Sequence, residues 1–359
     1  MLVAGPPELG GQAEAAGFAY WEVDPPSRDE LDPIWARVPQ LSQDEANVVV
    51  IGDIFGRLNT AAALPKLRAA FEDWRPDVVL HDPNEYASPL IAERLAIPHA
   101  RVAISLASTE ELSLRLSGPA VDPIRRAEGL PADAEGEWLR RSPFLTVFPA
   151  GLDDGAQPDT HRFRDPDWDA PARELPDWWP GRHGDPLVYV TFGSVVGGFA
   201  QALPVYDVAL AAVAELPVRV LLTVGRELDL DILPEAPENV RIERWVPQQD
   251  VLAHAAAAVV HGGSGSTLGA IAAGVPLVVM PLFADQPMNA RRVAEVGAGL
   301  AVEPDRANVQ AAIEPLGEGI QTDLAEPSYG ERARQIADEV RAEPPADDAV
   351  PLLQRLGRR

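Results

Sequence analysis

The sequence predicts an α/β protein of two doubly wound, Rossmann-like domains. Three observations carry that. Short apolar runs alternate with helical stretches in both halves of the chain, the rhythm of parallel strands joined by crossover helices. Residues 165–186 (DPDWDAPARELPDWWPGRHGDP) break the rhythm with Pro, Asp and Trp, the composition of a linker. The length of 359 residues, 46% of them hydrophobic, suffices for two domains with sizeable cores. The expected boundaries are 1–164 for the first domain, 165–186 for the linker, 187–340 for the second domain and 341–359 for a C-terminal helix.

Taken in order, residues 1–4 (MLVA) read as the end of a strand, 5–17 as a turn and short helix, and 19–23 as a strand. Residues 24–43 are proline-rich and acidic, a loop with a short helix. Two helical stretches follow at 48–58 (VVVIGDIFGRL) and 61–74. A strand at 78–81 ends on Asp82-Pro83, a helix at 88–95 stops at Ile97-Pro98, and 101–104 is the next strand. Residues 105–165 give a polar helix and then FLTVF at 144–148, expected as the last strand of the first domain. The second domain opens on the strand 187–192 (LVYVTF) and the turn Gly193-Ser194. A helix at 207–215 and strands at 219–224 and 240–243 lead to Trp245. Beyond residue 286, helices are expected at 289–296, 309–316 and 329–340, a short strand at 299–302, and an amphipathic tail at 349–356. Trp178 and Trp179 are expected to pack against protein.

Charge and composition exclude several functions. A formal net charge of −25 and a pI near 4.5 oppose a nucleic-acid or anionic-membrane partner, which such a chain repels. The chain has no cysteine, so disulfides, Cys-zinc sites and a thiol nucleophile are out. No histidine pair has zinc spacing, and His99, His161, His183 and His254 carry no motif and read as loop or surface residues. No uninterrupted apolar run approaches the ~20 residues of a spanning helix, and no signal-peptide pattern opens the chain. A cytoplasmic protein is the default expectation.

The chemistry concentrates in residues 245–286 (WVPQQDVLAHAAAAVVHGGSGSTLGAIAAGVPLVVMPLFADQ). The apolar run 257–260 stops at His261-Gly262-Gly263-Ser264-Gly265-Ser266-Thr267, and a helix of small residues follows. Glycines let the backbone approach a bulky anion closely, and the first helical turn offers unpaired N–H groups at a positive dipole end. Ser266, Thr267 and His261 add side-chain donors, so the turn suits a diphosphate. It lacks the spacing of the dinucleotide fingerprint. Trp245, at another strand end, offers a flat ring worth ~1–3 kcal/mol to a stacked nucleobase. Asp285 and Gln286 follow the next strand, where a carboxylate and an amide can hold sugar hydroxyls. The plainer alternatives are a core aromatic at Trp245, a satisfied strand-end His261 and a turn-forming Asp285.

Trp245-Val246-Pro247-Gln248, His261-Gly262-Gly263, Ser266-Thr267 and Asp285-Gln286, in that order, resemble the nucleotide-sugar signature of the inverting family-one glycosyltransferases, the UDP-glycosyltransferase superfamily. The bacterial branch acting on macrolides and other natural products is the nearer likeness. The resemblance implies the GT-B fold, two Rossmann-like domains facing a cleft, with the C-terminal helix returning to the first domain. It implies a base-stacking Trp245 flanked by Val246 and Gln248. A diphosphate would bind at His261, Gly263, Gly265, Ser266 and Thr267, with Ser194 near the phosphates. Asp285 and Gln286 would hold the transferred sugar, and Phe55 would line the acceptor pocket. Asp82 would orient a general-base His. Its plainer reading is a cap of the turn into the next helix. A paired His81–Asp82 dyad is opposed by strand geometry, since adjacent residues face opposite ways.

Two departures from the family pattern matter. Gly269 stands where UDP-using members carry a ribose-binding Glu, which shifts the expected donor toward a dTDP-sugar over a UDP-sugar. The strand at 1–4 matches the family's second strand, so a truncated first domain is expected, without the first strand and the loop bearing the base. The expected function is inverting transfer of a hexose or deoxyhexose to a hydroxyl of a small natural product. No cofactor and no metal is expected, and a homodimer is left open. The alternative is a non-catalytic nucleotide-sugar-binding or partner protein. A GT-B sugar epimerase fits the motifs less well.

Overall fold

The computed structural model describes residues 1–359 other than 156, 170, 176–183, 195, 197–202, 227, 306 and 359, and leaves the side chain of residue 169 undescribed. Trp178, Trp179 and His183 therefore lie outside the described residues. The chain divides into two compact units: Met1–Val147, Gly155–Arg162 and Asp347–Arg359 form the first, and Phe148–Asp154 and Phe163–Ala346 the second.

In the first unit β1 (Leu2–Gly5), α1 (Gly10–Ala15) and β2 (Ala19–Glu22) make a two-stranded parallel sheet. α2 (Arg28–Arg37) is longer than the short helix expected in this acidic stretch, because the Ser27/Glu30 capping box nucleates it despite Pro33. α3 (Gln43–Asn47), capped by Ser42 and Glu45, runs on through a π-helical stretch, Val48–Asn59, into α4 (Thr60–Trp74). The two helical stretches expected here are thus one. Gln43–Trp74 is long and apolar enough to cross a membrane by length and composition alone, a test that the core helix of a globular unit also passes. Ile54, Leu58, Leu64, Leu67 and Phe71 give it a buried face.

β3 (Val79–His81), α5 (Ala87–Arg94), β4 (His99–Val102), α6 (Ala107–Ala127), α7 (Glu137–Arg140), β5 (Phe144–Thr146) and β6 (Thr160–Arg162) complete the unit with a parallel sheet of order β3-β4-β5-β6. The last strand is therefore β6, not the 144–148 run; three polar residues, Thr160 to Arg162, carry no periodicity to betray it. Among the described residues β1–β2 does not pair with β3–β6. Gly52 and Gly56 let α6 approach: a Cβ on Gly52 would lie 3.1 Å from the Leu116 carbonyl oxygen. Phe55 packs, half-buried, toward Tyr86, Leu90 and Leu114.

The second unit contains β7 (Leu187–Thr191), α8 (Pro204–Val213), β8 (Arg219–Thr223), β9 (Val240–Glu243), α9 (Gln248–Leu252), β10 (Ala257–Val260), α10 (Ser264–Ala272), β11 (Leu277–Val279), α11 (Gln286–Glu295), β12 (Gly299–Ala301), α12 (Ile313–Ala325) and α13 (Pro327–Ala342). Its six strands are all parallel in the order β12-β11-β10-β7-β8-β9. β7, β10 and β11 are buried along their whole length, which explains why they read as unbroken apolar runs: helices cover both faces of a parallel sheet. The segment before β7 attaches to this unit, where the Arg173 N–H donates to the Asp250 carboxylate at 2.9 Å. α14 (Ala349–Leu356) belongs to the first unit.

One core residue breaks the apolar pattern. Asp323 lies on the buried face of α12 with Leu316 and Ile320, and neither of its carboxylate oxygens has a partner among the described residues. Burial pushes its pKa up to about 7. A raised pKa favours folding below the carboxyl's ordinary range, and that advantage is lost as pH rises through 7. Asp323→Asn is expected to be more stable than the parent at pH 8, by up to about 4 kcal/mol, with the gap closing toward pH 4. Urea midpoints across that range measure it; an equal difference at both ends would refute the assignment.

Candidate functional site

The chain order of the second sheet fixes where a ligand goes. β7 starts in the middle, β8 and β9 build outward, and β10 returns to β7's other side before β11 and β12 extend away. The switch point therefore lies between the carboxyl ends of β7 and β10, where open α/β sheets leave a crevice. Both chain segments emerging there are glycine turns: Gly193 (φ +78°) after β7, and His261-Gly262-Gly263 after β10, with Gly262 at φ +87°.

His261 is wedged between these turns. A Cβ on Gly193 would lie 2.8 Å from its Cε1, and a Cβ on Gly263 only 2.4 Å from its Nε2. Burial pushes its pKa down to about 4, so the ring is neutral near pH 7 and has an N–H to donate without carrying charge. Gly263 is the N-cap of α10 and brings no side-chain cap, so the first N–H groups of the helix stay open. A Cβ on Gly265 would meet nothing within 4 Å; packing does not require glycine there, and the space is open. Ser266 is half-buried. Thr267 turns inward, with its hydroxyl buried and without a partner among the described residues, so of the two expected hydroxyls only Ser266 reaches outward. Ser194 is exposed on the β7 turn.

The turn after β11 is held in an uncommon conformation, with Ala284 at φ +57°. It presents Asp285, whose Oδ2 accepts from Ser264 Oγ at 3.1 Å and from Asn289 Nδ2 at 3.0 Å. Gln286 is buried, and its Oε1 accepts the N–H groups of Leu282 and Phe283 at 2.9 and 3.1 Å. It builds the turn and has only its amide N–H groups to offer a ligand. Asn289 also donates to the Gly262 carbonyl at 2.8 Å, tying the two turns together.

Trp245 follows β9 with half its surface exposed, against its reading as a core aromatic, and Arg226 lies 4.2 Å over its ring. Val246 is half-buried beside it. Gln248 Nε2 donates to the Gly265 carbonyl at 3.2 Å, and its side chain lies over Gly269, where a Cβ would fall 2.5 Å from Nε2. Trp245, Gln248, His261, Gly263 and Asp285 all stand at the carboxyl end of one sheet.

Residues 36–193 match the N-terminal domain, and 207–356 the C-terminal domain, of the family described as Erythromycin biosynthesis protein CIII-like. The chain is 33% identical over 332 residues to the elloramycin glycosyltransferase ElmGT of Streptomyces olivaceus, covering 86% of this chain and 75% of that protein. It is 32% identical over 293 residues to the L-demethylnoviosyl transferase of Streptomyces niveus, 78% of this chain and 73% of that one. The chain belongs to the EryCIII-like family of natural-product glycosyltransferases. Solved structures agree on the GT-B fold. Spinosyn rhamnosyltransferase SpnG superposes with a TM-score of 0.78 at 24% identity, covering 98% of this chain and 91% of that one. The glycosyltransferase VinC in complex with DTDP gives 0.68 at 25% identity, over 100% and 92% of the two chains.

In the first unit of this EryCIII-like chain, Asp82 follows β3 and accepts the Asn84 N–H at 2.7 Å, the turn-capping role of its plainer reading. Glu85 caps α5 through the Ala87 and Ser88 N–H groups. His81 does not pair with the Asp82 carboxylate. Its Nε2 meets His99 Nδ1 at 3.2 Å, and burial lowers the two rings to about 3 and about 4. His99 is thus a half-buried strand residue and not the loop or surface residue expected. Among the described residues no group of three or more His, Cys, Asp or Glu is placed to hold a metal ion. Sequence reasoning missed Ser264, Asn289 and Arg226. The first two were legible as neighbours of recognised residues: Ser264 lies inside the glycine turn, and Asn289 is four residues after Asp285 on the same helix face.

Proposed function

We propose that this glycosyltransferase takes its sugar from a nucleoside diphosphate seated in the β7/β10 crevice and transfers it with inversion to a hydroxyl of a small natural product. The observation that carries the proposal is the uncapped N-terminus of α10 beside a neutral His261 that two glycines hold in place. The acceptor oxygen bonds to the anomeric carbon as the bond to the diphosphate breaks. The acceptor gives up its hydroxyl proton to a general base, and the departing diphosphate takes up the helix N–H groups and the His261 N–H. Asp285 would hold sugar hydroxyls, its orientation set by Ser264 and Asn289. A thymidine nucleotide is favoured because Gln248, not a carboxylate, fills the space over Gly269, so among the described residues no acidic group stands there for two ribose hydroxyls. A cytoplasmic location fits this chemistry.

A second reading, nucleotide-sugar binding without transfer, is favoured by the separation of the first unit's strands into two sheets. Thermal shift with thymidine and uridine diphosphates, followed by donor hydrolysis, distinguishes them. Thymidine diphosphate should raise Tm more than uridine diphosphate, since ligand binding stabilises by RT ln(1 + [L]/Kd). If neither nucleotide shifts Tm, the donor-site assignment is wrong. Binding without any turnover of a thymidine diphosphate sugar would favour the second reading.

A further inference from the structure

The Trp245 ring is not left to move freely. Arg226, at the end of the neighbouring strand's loop, places its guanidinium carbon 4.2 Å from the ring centroid. In return Arg244, which precedes Trp245, donates to the carbonyls of Leu228 at 2.6 Å and Arg226 at 3.3 Å. β8 and β9 are adjacent and parallel, in register to Thr223 and Glu243, and the Val224 N–H extends the ladder to the Glu243 carbonyl. Two loops leaving the same edge are therefore joined twice, once through backbone carbonyls and once through a cation over a ring.

We propose that Arg226 is a positioning residue for the nucleobase: it covers one face of Trp245 and fixes the ring so that the other face receives the base. The proposal rests on the nucleotide-sugar reading of this site. Trp245 keeps half of its surface exposed, so one face of the ring stays open to a base while Arg226 covers the other. No ion pair holds Arg226 among the described residues, and Glu243, at the end of β9, is taken by Arg241 at 2.8 Å. A ring already held needs no ordering when the base arrives, which is how preorganisation raises affinity.

Titration calorimetry of the full chain with thymidine diphosphate tests this on the parent, Arg226→Ala, Arg226→Lys, Trp245→Ala and the Arg226→Ala/Trp245→Ala pair. Arg226→Ala should weaken binding about threefold to tenfold, in keeping with an exposed cation–π contact, and Arg226→Lys should recover part of the loss. In the Trp245→Ala background the Arg226 substitution should add nothing. In donor hydrolysis KM should rise while kcat holds. Unchanged or tighter binding by Arg226→Ala overturns the proposal, as does the same loss with and without Trp245. A parent that binds neither thymidine nor uridine diphosphate overturns the nucleotide-sugar reading itself, and the proposal with it.

Discussion

Replacing His261 with alanine is expected to lower sugar transfer by about 10²–10³-fold, the usual loss when a preorganised donor to a leaving or developing anion is removed. The fold should survive, since the ring stands at a strand end between two turns and not in the apolar core. The effect should fall on kcat more than on nucleotide affinity, because the open N–H groups of α10 still bind the diphosphate. Gly263→Ala provides an independent check: a Cβ there would sit 2.4 Å from His261 Nε2 and must displace the ring, so it should reproduce most of the loss with His261 still present. With its pKa near 4, His261 is already neutral between pH 6 and 8, so the free enzyme's donor affinity should show no His261 step there. Equal kcat for His261→Ala and the parent would remove His261 from the mechanism.

Gly299→Ala should be the most destabilising single methyl group in the second unit, at about 3 kcal/mol or more. The added carbon would fall 1.9 Å from the Leu277 carbonyl oxygen, a backbone atom that cannot rotate away. β11 and β12 pair at this very register, Leu277 with Gly299, so relief requires the strands to part. β11 also leads into the turn that carries Asp285, so nucleotide-sugar turnover should decline together with the urea midpoint. An unfolding free energy within about 1 kcal/mol of the parent would refute the close approach.

The second unit was the more legible half because parallel strands buried on both faces write themselves as apolar runs, and residues 257–260 are β10 to the residue. The glycine turn after β10 was legible for a different reason: a glycine run and a helix start without a capping side chain are local properties. What escaped depends on tertiary contact. The orientation of Thr267 inward and Ser266 outward is set by how α10 lies on the sheet, and Gln286's role as a turn brace depends on Leu282 and Phe283. In the first unit β6 is three polar residues that only the edge of β5 makes into a strand, and the junction at residue 59 carries no breaker to separate or join two helices on paper.

The place of β7 in its sheet also bears on how the protein is made. Synthesis delivers β7, β8 and β9 first, so β7's inner edge stays open until β10, the fourth strand of the unit, is complete. Pairing across that edge joins segments far apart in sequence, the kind of contact that forms slowly. The crevice beside His261 exists only after this closure. On the proposed reading nucleotide binding would therefore be a late event that reports a finished sheet, and a nucleotide present during refolding should trap molecules that have closed it.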